Sequence, residues 1–376
     1  MPLNPARPHI LMSADALGGV WQYTLDLAAG LIRRGARVSV ALMGPAPDPE
    51  RIARAEAMSG ARILATGLPL DWTAERAVDV RDASSALARL ASDIDADLVH
   101  LHSPALALAD FAVPVVAVCH SCVATWWAAV GSGALPDDLA WRSDLNAQGC
   151  AKADRLIAPT HAFARTTRAT YGLAQAPLVV RNGRDAPASL IGEPASHAFT
   201  AGRLWDPAKN AAALDRLAAR LSVPLRAAGP VAGPTGQRVD LTALHGLGPL
   251  DDEAIARELS LRPVFVSLAR YEPFGLAVLE AAGAGCALVL SDIASFSELW
   301  DGAALFVAPD DDAAAARAVG DLLADPAHRA ALGRAARARA ADYGTQAMVN
   351  GVAGIVGDLL PALAGVAESV TAEAAA

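Results

Sequence analysis

Pro263-Val264-Phe265-Val266-Ser267-Leu268-Ala269 and, after Arg270, Tyr271-Glu272-Pro273-Phe274-Gly275-Leu276-Ala277-Val278-Leu279-Glu280-Ala281-Ala282 carry the reading from which the fold follows. The first run is apolar and β-prone, as a buried strand is; the second passes through Pro and Gly into Ala, Leu and Val and reads as a helix. Pro273 and Gly275 suit a first helical turn, whose N–H groups have no acceptor inside the helix and point outward above the strand end. Glu272 then sits at the turn and Glu280 on the helix. Two carboxylates and a set of outward amides in one small space suit a polyhydroxylated ligand.

The same strand-to-helix step recurs along the chain. Apolar strand candidates at 9–12, 37–43, 62–66, 97–101, 113–119, 155–159 and 178–181 alternate with Ala/Leu/Arg helical patterns. The series restarts at 198–201, 225–228, 239–245, 263–268, 287–290 and 304–307. Such alternation predicts an α/β protein with doubly wound parallel sheets. The Gly-, Pro- and Ser-rich stretch 182–196 has linker composition, so we expect two Rossmann-like halves facing across a cleft. The expected boundaries are 1–185 for the first domain and 186–345 for the second, with 346–376 a helix crossing back to the first domain and fraying at its Ala-rich end.

Composition bounds the function. With 376 residues, 53% of them hydrophobic and 19% charged, the chain can bury two ordinary cores. A net charge of −9 argues against nucleic acid as the main partner, because neutralising phosphates takes clustered Lys and Arg. Residues 1–16 read as a first buried strand, too short for a secretory core or a membrane span, which implies a cytoplasmic protein. Four cysteines make no disulfide framework, and Cys119-His120-Ser121-Cys122 has no second pair at zinc spacing. Asp93-Ile94-Asp95-Ala96-Asp97 precedes a strand instead of ending one and reads as a polar loop; Asp310-Asp311-Asp312 reads as a helix cap. No metal requirement is expected.

Three further elements carry chemistry. In Gly202-Arg203-Leu204-Trp205-Asp206-Pro207-Ala208-Lys209-Asn210, Asp206 and Pro207 read as N-cap and first helical residue, so that Lys209 projects toward the strand end that carries Arg203. Two cations at one helix mouth make a diphosphate site. Asp15-Ala16-Leu17-Gly18-Gly19-Val20-Trp21-Gln22-Tyr23 places glycines between a strand and a helix, where backbone approaches an anion closely, but without the G-x-G-x-x-G spacing of a dinucleotide site. His120 follows the strand at 113–119, where open α/β sheets place ligands; His100 and His102 also end a strand and read either as site or as support residues.

These four motifs together resemble the retaining family 4 glycosyltransferases (glycosyl transferases group 1) of the GT-B fold, over nearly the whole chain from Gly18 to about Asp312. The resemblance implies transfer of a sugar from a nucleotide sugar, with UDP-sugars the first expectation and GDP-sugars the next. The acceptor is left open among a saccharide, a glycolipid precursor and a small metabolite. It implies that Glu272 with Phe274, Gly275 and Leu276 grips the sugar, Glu280 the ribose, and Arg203 and Lys209 the leaving diphosphate. His120 would contact the sugar, Gly18 and Gly19 would lie against the donor, and Leu250 would stand near the base, which relatives contact largely through backbone. No cofactor or metal is implied.

Retention implies front-face transfer, in which the departing phosphate oxygen helps take the acceptor proton and no protein nucleophile is needed. The acceptor is expected on the first domain, near Trp126, Trp127, Trp141 and Arg142; exposed Trp rings stack on sugars or rest at a lipid surface, while buried ones fill a core. Peripheral contact with the inner membrane face is compatible with this, and no obligate protein partner is implied. Competing readings are a nucleotide-sugar epimerase or a phosphorylase of similar build, a non-catalytic nucleotide-sugar-binding subunit, and a C-x-x-C redox protein.

Overall fold

The computed structural model describes residues 7–16, 18–186, 193–234 and 236–364. Leu17 of the glycine turn, 187–192 of the expected linker and the tail expected to fray lie outside the described residues. The chain divides into two compact units, one of Met1–Thr125, Gly133–Gly183 and Thr345–Ala376, the other of Trp126–Ser132 and Arg184–Gly344.

In the first unit, strands β1 (His9–Asp15), β2 (Arg37–Met43), β3 (Arg62–Ala65), β4 (Leu98–Leu101), β5 (Val115–Val118), β6 (Arg155–Ala158) and β7 (Leu178–Val179) form a parallel sheet in the order β3-β2-β1-β4-β5-β6-β7. Ile10, Leu11 and Met12 are all buried, as a parallel strand covered on both faces requires. Ile10 and Met12 join one core and Leu11 the other, because successive side chains leave opposite faces. Around the sheet lie α1 (Gly19–Arg33), α2 (Pro49–Ser59), α3 (Ala77–Asp93), α4 (Val123–Val130), α5 (Asp137–Lys152) and α6 (His161–Tyr171). Residues 126–130 of α4 group with the second unit.

The second unit repeats the plan. Strands β8 (Ala198–Ala201), β9 (Leu225–Ala228), β10 (His245–Gly248), β11 (Val264–Ser267), β12 (Leu288–Ser291) and β13 (Leu305–Val307) are parallel in the order β10-β9-β8-β11-β12-β13. On one face α9 (Leu276–Gly283), α10 (Ala294–Trp300) and α12 (Pro326–Ala340) bury Phe265, Leu288 and Leu290. On the other, α7 (Ala211–Ala218) and α11 (Asp312–Ala324) bury Val264, Val266 and Val289. A further helix, α8 (Asp252–Ser260), links β10 to β11. Counted from its own first strand, each sheet contains the doubly wound order 3-2-1-4-5-6, to which the first adds β7 at its edge.

The last long helix, α13 (Thr345–Leu359), belongs to the first unit, where Met348, Val349, Val352 and Val356 join the core beside Leu27 and Leu31 of α1. Gly30 makes this possible, since a Cβ there would come within 2.2 Å of Val349.

Two expectations about elements need correction. The strand expected at 239–245 begins only at His245, because the Asp215 carboxylate accepts from the backbone N–H groups of Thr242, Ala243 and Leu244 (2.8, 2.9 and 2.8 Å) and holds them as a turn. Pro273 and Gly275 do not form a first helical turn: α9 starts at Leu276, with Gly275 as its N-cap at φ +92°. Asp97 and the Asp310–312 run behave as structural acids. Asp97 accepts the His9 N–H (2.7 Å), Asp311 caps α11, and Asp312 pairs with Arg216 and Arg220.

Candidate functional site

In the second unit β8 and β11 are neighbours, yet the chain leaves them in opposite directions across the sheet. A crevice opens beyond the carboxyl ends of strands at such a switch point. Both second-unit motifs start there: β8 runs into Gly202-Arg203, and β11 into Leu268 to Glu272.

Hydrogen bonds stitch the two loops together. The Arg270 N–H donates to the Ala208 carbonyl (2.9 Å), and the buried Asn210 amide donates to the carbonyls of Leu268 (3.0 Å) and Pro309 (2.8 Å). Asn210 takes the left-handed conformation at φ +56°, which separates a short 3-10 turn at Pro207–Lys209 from α7. Asp206 caps that turn as expected, accepting from the Ala208 N–H at 3.0 Å, but Lys209 stands on the 3-10 turn and not on an α-helix. Lys209 Nζ and the Glu272 carboxylate form an ion pair at this junction, with side chains 22% and 19% exposed. Arg203, half exposed, donates to Asp206 (3.2 Å) and lies 5.7 Å over the Trp205 ring. The loops therefore place a basic pair and an acid at one strand-end crevice, although their motifs lie about sixty residues apart.

Several residues that complete this place escaped the sequence reading. Gly229, at φ +136°, lies so close under the Arg203 loop that a Cβ would approach the Gly202 carbonyl oxygen to 1.7 Å. The Ser295 hydroxyl on α10 donates to the Glu272 carbonyl and so ties the acidic loop. Arg184 donates to Glu280 from Nε and Nη2, both at 2.8 Å from Oε1. Gly229 follows a strand before a proline, a signal that was available; the other two carry none.

The remaining second-unit candidates separate by burial. Phe274 is buried, edge-on to Tyr343 (6.1 Å between rings), so its side chain belongs to the core. Leu276 opens α9, and Leu250, two residues after β10, is half-buried against the same core. Trp126 donates its indole N–H to Asp206 (3.0 Å), tying it to the Arg203 loop. Trp127 lies against Gly131, where a Cβ would meet its ring at 2.3 Å.

In the first unit the corresponding switch point lies between β1 and β4. Ser13 of β1 accepts the His102 backbone N–H (2.9 Å), and Gly18 and Gly19 lead from β1 into α1, whose third residue, Trp21, donates to the Gly18 carbonyl (3.1 Å). His120, just beyond β5, meets His102 with Nε2 3.0 Å from Nδ1, and Tyr23 sits edge-on to both rings. One of these imidazoles donates and the other accepts. Burial pushes the His100 pKa down to about 4 and that of His120 to about 3, and drives His102 well below the usual histidine value. Neither ring nitrogen of His100 has a partner among the described residues. Asp71, absent from the sequence candidates, accepts from Ser103 (2.7 Å), and burial raises its pKa. Trp141 and Arg142 stack on one another at 4.3 Å, while Arg142 donates to the carbonyls of Asp138 and Ala74 (2.7 and 2.6 Å).

Cys119 and Cys122 are buried thiols, as are Cys150 and Cys286. A hydrogen bond between Cys119 and Cys122 pushes the Cys119 thiol pKa up and the Cys122 value down to about 6. Among the described residues no helix is long and apolar enough to cross a membrane.

Comparison with known proteins bears on the family and the fold. Residues 17–186 match the family model Glycosyltransferase Family 4, and residues 242–339 match Glycosyl transferases group 1. Glycogen synthase of Mycobacterium tuberculosis is 28% identical over 391 residues, covering 89% of this chain and 92% of its own. Sucrose-phosphate synthase from Thermosynechococcus elongatus superposes with a TM-score of 0.78 at 20% identity, covering 95% of this chain and 100% of that one. Anabaena HepE, in complex with UDP and glucose, gives 0.69 at 16% identity, covering 93% and 99%. The two solved structures share the GT-B fold with this chain.

Proposed function

This chain belongs to the group 1 glycosyltransferases of the GT-B fold, and from that premise we propose that it transfers a sugar, with retention, from a nucleoside-diphosphate sugar to a hydroxyl acceptor. The observation that carries the donor class is the meeting of Arg203, Lys209 and Glu272 at the second switch point. Cations there suit a diphosphate, and a carboxylate beside them suits sugar hydroxyls. UDP-sugars come first because HepE was solved with UDP and glucose; GDP-sugars come next.

In the reaction the bond from the anomeric carbon to the diphosphate oxygen breaks, and a bond to the acceptor oxygen forms on the same face. The acceptor proton passes to the departing phosphate. Arg203 and Lys209 stabilise the charge that develops on that phosphate, an effect worth on the order of a hundredfold in rate. Glu272 acts as a sugar ligand once the diphosphate has taken Lys209 from it. This differs from a retaining hydrolase, which needs one of two carboxylates to attack. With two cations assigned to the diphosphate, the reaction is proposed to run without a metal or other cofactor, and full turnover in a chelator is the expected result. In the first unit we assign His120 to the sugar and Gly18 and Gly19 to the donor.

The acceptor is assigned to the first unit, with Trp141 and Arg142 as its candidates; Trp126 and Trp127, expected there from the sequence, group with the second unit. Buried thiols without a disulfide framework fit a cytoplasmic site of action. A thermal-shift screen over UDP, GDP and ADP tests the donor class, because a bound ligand raises stability as RT ln(1 + [L]/Kd). The cognate nucleotide sugar should then release nucleoside diphosphate in the presence of acceptor without inorganic phosphate. Release that requires phosphate would favour a phosphorylase, and conversion of the donor without acceptor an epimerase.

A further inference from the structure

Glu280 is held by a neighbouring arginine. Its Oε1 receives both Nε and Nη2 of Arg184, each at 2.8 Å, with the two side chains 26% and 20% exposed. Arg184 itself is anchored: its N–H donates to the Tyr343 carbonyl (3.0 Å), and the Tyr343 hydroxyl donates to Leu299 (3.2 Å). The Tyr343 ring lies edge-on to Phe274 and Trp300, in the core under the acidic loop. A carboxylate on a short helix has several rotamers, and a fork of two donors on one oxygen selects one of them.

We propose that Arg184 is a positioning residue for nucleotide recognition: it locks the Glu280 rotamer so that the carboxylate meets the ribose hydroxyls of the donor. This rests on the reading of Glu280 as the ribose ligand. Arg184 does not touch the substrate; it acts through Glu280. Lysine cannot replace it fully, because a point charge lacks the fork that fixes the orientation.

The test measures binding of UDP, 2′-deoxy-UDP and 3′-deoxy-UDP, with the GDP series in parallel, to the full chain and to Arg184→Met, Arg184→Lys and Glu280→Gln. Thermal unfolding is recorded for each protein. The unsubstituted protein should prefer the ribose form over the deoxy form that lacks the recognised hydroxyl by about tenfold or more. Glu280→Gln should lose most of that preference, Arg184→Met should lose it to a similar extent, and Arg184→Lys should fall between. The donor KM should rise in Arg184→Met while kcat at saturation stays within a few-fold. If Arg184→Met keeps the full preference while Glu280→Gln loses it, Arg184 is merely structural, whatever its melting temperature, and the donor reading stands. If both variants keep it, the ribose role of Glu280 fails and the positioning role fails with it.

Discussion

Replacing Glu272 by Gln should tighten the binding of a nucleoside diphosphate while nearly abolishing sugar transfer, and the opposition between those effects probes the site directly. Lys209 is engaged by Glu272, both side chains being about four-fifths buried. A diphosphate can use Lys209 fully only after displacing that carboxylate. A hydrogen bond between charged groups contributes roughly 1.5–3 kcal/mol, and exposure of about one-fifth on each partner argues for the lower part of that range. Glutamine keeps the shape and removes the charge, so about 1.5 kcal/mol of competition disappears and the Kd for UDP or GDP falls about tenfold. Transfer should drop by two orders of magnitude or more, because the sugar loses its acid. Lys209→Met predicts the reverse at the diphosphate: affinity weaker by roughly tenfold and kcat lower by about a hundredfold. Isothermal titration with the nucleoside diphosphate and steady-state diphosphate release at saturating donor supply both numbers for each variant. Weakening of diphosphate binding by Glu272→Gln, to the extent seen in Lys209→Met, would refute the competition.

Three further outcomes follow from named contacts. Gly229→Ala puts a methyl group 1.7 Å from the Gly202 carbonyl oxygen at a backbone φ of +136°, so we expect a loss of about 2 kcal/mol or more and a raised donor KM, read by thermal unfolding and kinetics. His100, with its pKa lowered from 6.5 to about 4, binds a proton more readily unfolded than folded. Stability linked to it is complete above about pH 6.5 and is lost as pH falls toward 4, amounting to on the order of 3 kcal/mol; urea midpoints between pH 7.5 and 4.5 should fall less in His100→Phe than in the parent. Trp126→Phe removes the indole donor to Asp206, so kcat should fall several-fold with the acceptor KM unchanged, whereas a rise in acceptor KM alone would move Trp126 to an acceptor role.

How much of the site could be read in advance depends on how local each feature is. Glu272, Gly275 and Glu280 lie within one strand-turn-helix step, and Arg203 to Lys209 within another, so spacing and turn chemistry exposed them without any long-range information. Errors arose where a distant side chain overrode local preference. Residues 239–244 have an apolar pattern, but three of their N–H groups are taken by Asp215, a helix away in sequence. Phe274 sits inside the motif, but its ring belongs to the Tyr343 cluster from the far end of the unit.

Alternating apolar strands and helices were enough to determine a pair of doubly wound sheets, and four short motifs carried the resemblance to a glycosyltransferase. Those features arise from backbone geometry over a few residues at a time. Tertiary structure alone decided that the Arg203 and Glu272 loops share one crevice, because strand order makes β8 and β11 neighbours across more than sixty residues of chain. It alone set Lys209 against Glu272, Arg184 on Glu280 and His102 on His120. Sequence spacing holds no record of such pairs; they exist because the sheets bring separate strand ends within hydrogen-bonding distance.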